Sequence, residues 1–356
     1  MKKKLLALAL STSVSALMLG GCLANPSASS TSSLTAGAAQ PAAVAAPASK
    51  MEVVGGYVED LNSYGNKTVV VPTAYVKLLV QGKVFVSKQG SALQQMASGG
   101  NANSVKASAK YKVVGLDKAL AQSIAKQAYD DFVAKLRASG YTVLTYDDIK
   151  SRDFVAGAAR EKPDATWGIP TESPQGSSDT YLVAAPSDAQ QFKIGFTGVF
   201  SEFMSRGKPK FEDAAVVIPS FTIVAPQVWG ATASGYNRIS AQINTAPGMN
   251  LNYAAAPWMG KPKVRMGGSK APGVFTKGYV GNISPKAGEL VKTANTTPAA
   301  ANALSKGLSM LTGAGAIQAE SAEYTFTIDR NAYTAGAMKG IGDFNSEVAK
   351  YAATGK

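Results

Sequence analysis

One cysteine, no histidine and a basic loop are the features of this 356-residue chain that bear most directly on chemistry. Cys22 is the sole thiol, so no intramolecular disulfide can form. Without histidine, the chain lacks the usual ligand sets for zinc, copper or haem. It also lacks the Ser-His-Asp and Cys-His pairs that activate nucleophiles. Any catalysis would fall to carboxylates, lysine or tyrosine. The pairs Asp130-Asp131 and Asp147-Asp148 invite an acid/base reading. The first falls on the solvated side of a predicted helix. The second falls at a helix start, where negative charge is favoured. Both are read as structural. Neither G-x-x-x-x-G-K-[ST] nor G-x-G-x-x-G occurs, so no nucleotide loop is indicated. No metal site, cofactor or catalytic residue is assigned.

Cys22 closes a segment with a pattern of its own. Lys2, Lys3 and Lys4 form a basic start, Leu5 to Leu19 an apolar run, and Gly20-Gly21 a small-residue exit. An apolar run of about 15 residues falls short of the ~20 that a spanning helix needs and reads as a secretory signal peptide. Leu19-Gly20-Gly21-Cys22 resembles the lipobox of bacterial lipoproteins. That resemblance implies cleavage before Cys22, acylation of its thiol by chains such as palmitate, and acylation of the new amino terminus. Several acyl chains anchor a protein stably where one binds marginally, each buried methylene adding ~0.8 kcal/mol. Leu23, not aspartate, follows the cysteine. In a Gram-negative host, the resemblance then implies the outer membrane, on its periplasmic side.

Three regions follow from this reading. Residues 1–21 are the signal peptide, 22–50 the acylated cysteine with a disordered tether, and 51–356 an α/β body with a candidate subdivision near 163–178. Leu23 to Ser49 carry no charge and are mostly Ala, Ser, Thr and Pro. Such a composition cannot bury enough apolar surface to offset the entropy of ordering. About 27 flexible residues span roughly 30 Å, which holds the body clear of the headgroups.

Within the body, Val69-Val70-Val71 and Lys83-Val84-Phe85-Val86-Ser87 read as strands, and Gln89 to Ser104 as a polar surface loop. Asp117 caps a helix in which Leu120, Ile124, Ala128, Phe132 and Leu136 recur every four residues, and Gly140 ends it. Tyr141 to Thr145 is a strand, so a βαβ unit is expected, followed by a second helix from Ile149 towards Ala159. Residues 163–178 read as an exposed connection. Further strands are expected at Tyr181–Ala184, Phe192–Val199, Ala214–Ile218 and Phe221–Trp229. Ile239, Ala241 and Ile243 alternate with Ser240, Gln242 and Asn244, and Met249, Leu251 and Tyr253 with Asn250 and Asn252. This pattern predicts one antiparallel hairpin over 238–253. Its arms of about seven or eight residues are shorter than the ~9–11 of a membrane-spanning strand, which favours a half-exposed sheet over a membrane insertion. The end of the chain reads as a helix from Thr297 to Leu311, a strand over Glu323–Ile328, and a helix over Asn331–Ala353 weakened by three glycines. The predicted class is α/β: a mixed sheet with packed helices, and antiparallel hairpins in the second half.

The lipobox, the linker, the strand Lys83–Ser87, the helix ALAQSIAKQAYDDFVAKLRASG and the strand YTVLT together resemble the curli-secretion lipoprotein family. The amino-terminal domain of the Tol-system propeller protein is similar in its helix-strand pattern. The family resemblance implies a secretion-accessory role. A segment over 88–110 and the glycine-rich second half depart from the family.

Charge is unevenly distributed. The whole chain carries +13, or +10 without the three leader lysines, and residues 214–319 hold nine basic side chains against Glu289 alone. The densest cluster, Lys261, Lys263, Arg265 and Lys270, lies among glycines and prolines and reads as loops. Its field attracts anionic partners: anionic lipid, lipopolysaccharide or acidic polysaccharide. No nucleic-acid-binding motif accompanies it, which disfavours nucleic acid. A homo-oligomer is left open. Two functions of different class follow from the residues. One is a lipid-anchored envelope protein with a structural, binding or secretion-accessory role. The other is an envelope enzyme that acts on polysaccharide through two carboxyls ~5–9.5 Å apart.

Overall fold

The Val69-Val70-Val71 run is continuous rather than alternating because strand β1 (Thr68–Val71) is buried on both faces, as parallel strands are. The computed structural model describes residues 67–89, 91, 104–193, 204–205, 208–209, 211, 214–234, 239–259, 280–295 and 320–354. All belong to the second of the chain's two units, Ala43–Lys356. β1 lies parallel to β4 (Thr142–Thr145) and β9 (Ala215–Val217), and β14 (Trp258–Met259) closes this four-stranded sheet antiparallel. Val69, Val71, Val143, Val217 and Trp258 belong to the main core. Val70 and Val216 belong to a second cluster with Ile149, Val155, Phe192 and Phe211.

A larger mixed sheet runs alongside. Its strands are β2 (Tyr75–Gln89), β3 (Ser104–Val114), β5 (Thr171–Glu172), β6 (Thr180–Ala184), β10 (Ser220–Val224), β13 (Met249–Ala255), β15 (Val280–Ser284), β16 (Gly288–Asn295) and β17 (Glu320–Ile328). The order is β15-β13-β10-β2-β3-β17-β16, with β6 also on β2 and β5 on β6. The first half of β2 pairs with β10 and β6, and its second half runs antiparallel to β3. Two small ribbons complete the strands among the described residues: β7 (Met204–Ser205) with β8 (Lys208–Pro209), and β11 (Gln227–Ser234) with β12 (Ile239–Ala246). The fold is therefore the mixed α/β class that the patterning predicts.

Helix α1 (Lys118–Ala138) forms as expected. The Asp117 carboxylate accepts from the Leu120 N–H at 2.7 Å, and Gly140 takes a φ of +83° just beyond the end. That satisfies an orphan first-turn donor, and the left-handed residue suits glycine. The buried face includes Leu120, Ile124, Ala128, Phe132 and Leu136. The carboxylate pairs are structural. Lys126 donates to Asp130 at 2.6 Å, Lys135 to Asp131 at 2.7 Å and Lys150 to Asp147 at 2.8 Å. Asp148 accepts from the Thr145 N–H and hydroxyl.

The last helix, α4 (Arg330–Thr354), packs on α1: Lys135 Nζ also donates to Gly342 O, and Asn345 Nδ2 donates to Asp131 at 2.8 Å. Phe344 meets Phe221 of β10 edge-on at 5.6 Å. The helix forms across its three glycines, and two of them have a packing reason. A Cβ at Gly336 would stand 2.9 Å from Ser284 Cβ, and one at Gly340 2.9 Å from Ile283 Cγ2. They let the helix backbone close on β15.

Four expectations need correction. Residues 239–253 are not one hairpin: β12 pairs with β11, while β13 pairs with β10 and β15. The turn at Ala246-Pro247-Gly248 carries the chain from one sheet to the next. No strand is expected between the predicted loop ending at Ser104 and the cap at Asp117, yet β3 fills Ser104–Val114. The helix expected from Ile149 is two short turns, α2 (Tyr146–Ile149) and α3 (Asp153–Ala156), the first starting at Thr145. The segment Phe221–Trp229 is two strands separated at Ala225-Pro226, where proline cannot donate to a ladder. Most of the expected strand at 192–199 and the helix at 297–311 fall outside the described residues. No helix among the described residues is long and apolar enough to cross a membrane.

Candidate functional site

The outer half of the β2–β3 ribbon alternates strictly. On β2, Gln81, Lys83, Phe85 and Ser87 are exposed, and on β3 so are Lys106, Lys110, Lys112 and Val114. Between them Val105, Ala107, Ala109, Tyr111 and Val113 are buried. The period is two because one face alone is covered. Val86 and Ile243 pack with Val105, Ala107 and Ala241 beneath the β11–β12 ribbon. Gly230 of that ribbon has no room for a Cβ against Val86.

Register then decides which exposed side chains meet. Lys83 stands opposite Lys110, Gln81 opposite Lys112 and Phe85 opposite Ser108. The rows continue onto β17, where Glu323 flanks Lys110 and Thr325 flanks Lys112. A trough of about 440 Å³ lies here, lined in part by Gln81, Lys83, Lys110, Lys112, Glu323 and Thr325. It brings three ammonium groups against one carboxylate. Lys110 Nζ reaches Glu323 at 3.7 Å, with both side chains well exposed, so that pair contributes about 0–1 kcal/mol. Among the described residues no ion pair engages Lys83, Lys106 or Lys112.

Tyr111 fixes the direction of its two neighbours. Its hydroxyl donates to Asp179 at 3.3 Å, and the Tyr181 hydroxyl donates to the same carboxylate at 3.4 Å. A Cβ at Gly82, opposite Tyr111, would overlap both the Tyr111 hydroxyl and Asp179. Burial, with the Asp179 charge second, holds the Tyr111 phenol well above its ordinary range. The same causes push Tyr181 up to about 12. With Tyr111 anchored inward, strand geometry turns Lys110 and Lys112 outward.

No protein-family model, curated protein or solved structure matches the chain. The curli-secretion resemblance gains no support from those comparisons. The lipobox with Cys22, and the basic cluster of Lys261, Lys263, Arg265 and Lys270, lie outside the described residues. The sequence reading does not bring the trough lysines together: Lys83 falls on a predicted strand, no strand is expected at Lys110 and Lys112, and only the ladder register joins them. The signal was present: Lys106, Ser108, Lys110 and Lys112 recur at every second position. Among the described residues no group of three His, Cys, Asp or Glu side chains could hold a metal ion. Trp258 is core, 2% exposed and edge-on to Tyr141 at 5.4 Å.

Proposed function

We propose that this protein is a lipid-anchored component of the bacterial cell envelope that binds an anionic partner without catalysing its conversion. The leader over residues 1–21, followed by Cys22, supports the anchor and the outer-membrane, periplasm-facing location. The trough supports the binding role. Its decisive feature is the in-register placement of Lys83 against Lys110, beside Lys112. Like charges directly opposite each other destabilise a sheet. A bound anion would neutralise them. The alternative, an envelope enzyme acting on polysaccharide, needs two carboxyls, and the trough lining supplies Glu323 alone. The cluster of Lys261, Lys263, Arg265 and Lys270 is a separate candidate for the same class of partner, and a secretion-accessory role is compatible with either.

The anchor is tested by Cys22→Ser with labelled fatty acid, which should leave signal-bearing precursor without label. Unchanged labelling overturns the anchor. The binding role is tested by titrating the detergent-solubilised full chain with a polyanion. Replacing Lys83, Lys110 and Lys112 by Gln should weaken it at least tenfold at low salt, and undiminished binding overturns the trough assignment.

A further inference from the structure

Resting on the trough as an anion site, we infer that its occupant is an acidic polysaccharide chain, with Phe85 as the surface on which a sugar ring stacks. Among the described residues, three of the four exposed large hydrophobic side chains, Phe85, Val114 and Val291, belong to this one face. Phe85 is 54% exposed, two residue pairs beyond the Lys83–Lys110 row and next to it on the same face. Val291 is 49% exposed and stands opposite Thr325 at the far side. Apolar side chains therefore flank a charged centre.

The chemistry of the lining selects among anionic polymers. Ammonium groups at Lys83, Lys110 and Lys112 match the carboxylates or other acid groups of the chain. Gln81, Thr325, Thr293 and Ser178 add neutral hydrogen-bonding groups, and Glu323 adds an acceptor. A sugar presents hydroxyl donors to those acceptors, and its C–H face suits the electron-rich face of a phenyl ring. A phosphodiester strand binds best along a series of aromatic platforms. Among the described residues, Phe85 is the one aromatic side chain exposed in this face. A bilayer surface is flat, whereas the site is a trough. Lys110 and Lys112 are ~7 Å apart along β3, with Lys106 ~14 Å from Lys110. That is a basic track along the strand rather than a point site.

The test uses the full acylated chain in detergent, with fluorescent polygalacturonate as probe. Competitors are neutral dextran, oligothymidylate and phosphatidylglycerol in mixed micelles. Polygalacturonate should compete best and dextran not at all. Phe85→Ala should weaken probe binding roughly fivefold or more, with the salt dependence unchanged because no charge is lost. Phe85→Tyr should stay within about twofold of wild type. Thermal unfolding of each variant establishes that it is folded. Better competition by oligothymidylate or by phosphatidylglycerol overturns the polysaccharide assignment, as does an unchanged affinity in Phe85→Ala. Loss on Lys83, Lys110 and Lys112→Gln without loss on Phe85→Ala refutes this inference alone. Retention in the triple lysine variant refutes the trough itself.

Discussion

Lys83 and Lys110 face each other directly across the β2–β3 ladder, both exposed, with the Glu323 carboxylate on the far side of Lys110. The row reads plus, plus, minus. Cross-strand pairs carry about 0.2–1 kcal/mol, and the sign here is unfavourable for the two lysines. A sheet under selection for stability alone has no reason to hold them in register. A sheet that must attract an anion does.

Lys83→Glu therefore separates stability from binding. It replaces a repulsive pair by an attractive one and should raise unfolding free energy by about 0.2–1 kcal/mol. The same variant should weaken polyanion binding more than Lys83→Gln does. Urea unfolding alongside a binding titration checks both. Loss of stability in Lys83→Glu would mean that the two ammonium groups do not oppose each other.

Gly82→Ala probes the anchor beneath the trough. Its Cβ has no space beside the Tyr111 hydroxyl and Asp179, and overpacking of this kind costs about 1–3 kcal/mol. Removing one of the clashing groups in Gly82→Ala/Tyr111→Phe should give a total smaller than the sum of the single effects. A double-mutant cycle reads that coupling. Additive effects would place Tyr111 away from Gly82.

Two glycines of α4 should respond oppositely to alanine. Gly342→Ala meets nothing nearer than Lys135 Nζ at 3.5 Å, so better helix propensity should stabilise the protein by up to about 1 kcal/mol. Gly340→Ala meets Ile283 Cγ2 at 2.9 Å. Overpacking of about 1–3 kcal/mol should then exceed the propensity gain. Stabilisation by both changes would contradict the close approach of α4 to β15.

Stability should fall at both ends of the pH scale for identifiable reasons. Arg330 donates to Asp117 at 2.6 Å and, with the Leu120 N–H, holds that carboxyl below its ordinary range. Its contribution is full above the unfolded value of ~3.9 and is lost as pH falls through the folded value. Asp117→Asn should flatten the stability profile below about pH 4. Burial pushes Tyr129 and Tyr181 up to about 12. Their contribution is full below the unfolded value of ~10 and is lost as pH rises towards 12. Tyr129→Phe should be less sensitive across that alkaline window. Denaturant melts at fixed ionic strength measure both limbs.

The elements legible in the sequence are those whose signals are local. α1 has a cap at Asp117, a four-residue apolar repeat and Gly140, all within one stretch of chain. β1 shows itself as three valines because both its faces are covered. Pairing between elements was harder to read. The alternation in 239–244 and 249–253 is genuine, yet nothing local reveals that β11 and β10 are the respective partners. A turn of Pro and Gly looks the same whether it closes a hairpin or crosses between sheets. The trough was obscured similarly. Lys83, Lys110 and Glu323 are far apart in sequence, and only the ladder register brings them into one row. Gly336 and Gly340 misled because propensity counts a missing side chain as loss. Packing counts it as room for Ser284 and Ile283.

The salt dependence of polyanion binding by the full chain tests the central claim most directly. Binding through several ammonium groups falls steeply with added salt, and each lost contact lowers the slope of log affinity against log salt. The account predicts a steep slope for wild type and a clearly shallower one, with at least tenfold weaker binding at low salt, when Lys83, Lys110 and Lys112 are all replaced by Gln. The matching change of Lys261, Lys263, Arg265 and Lys270 to Gln reports on the other basic cluster. Wild-type affinity and slope in the trough variant would contradict the account.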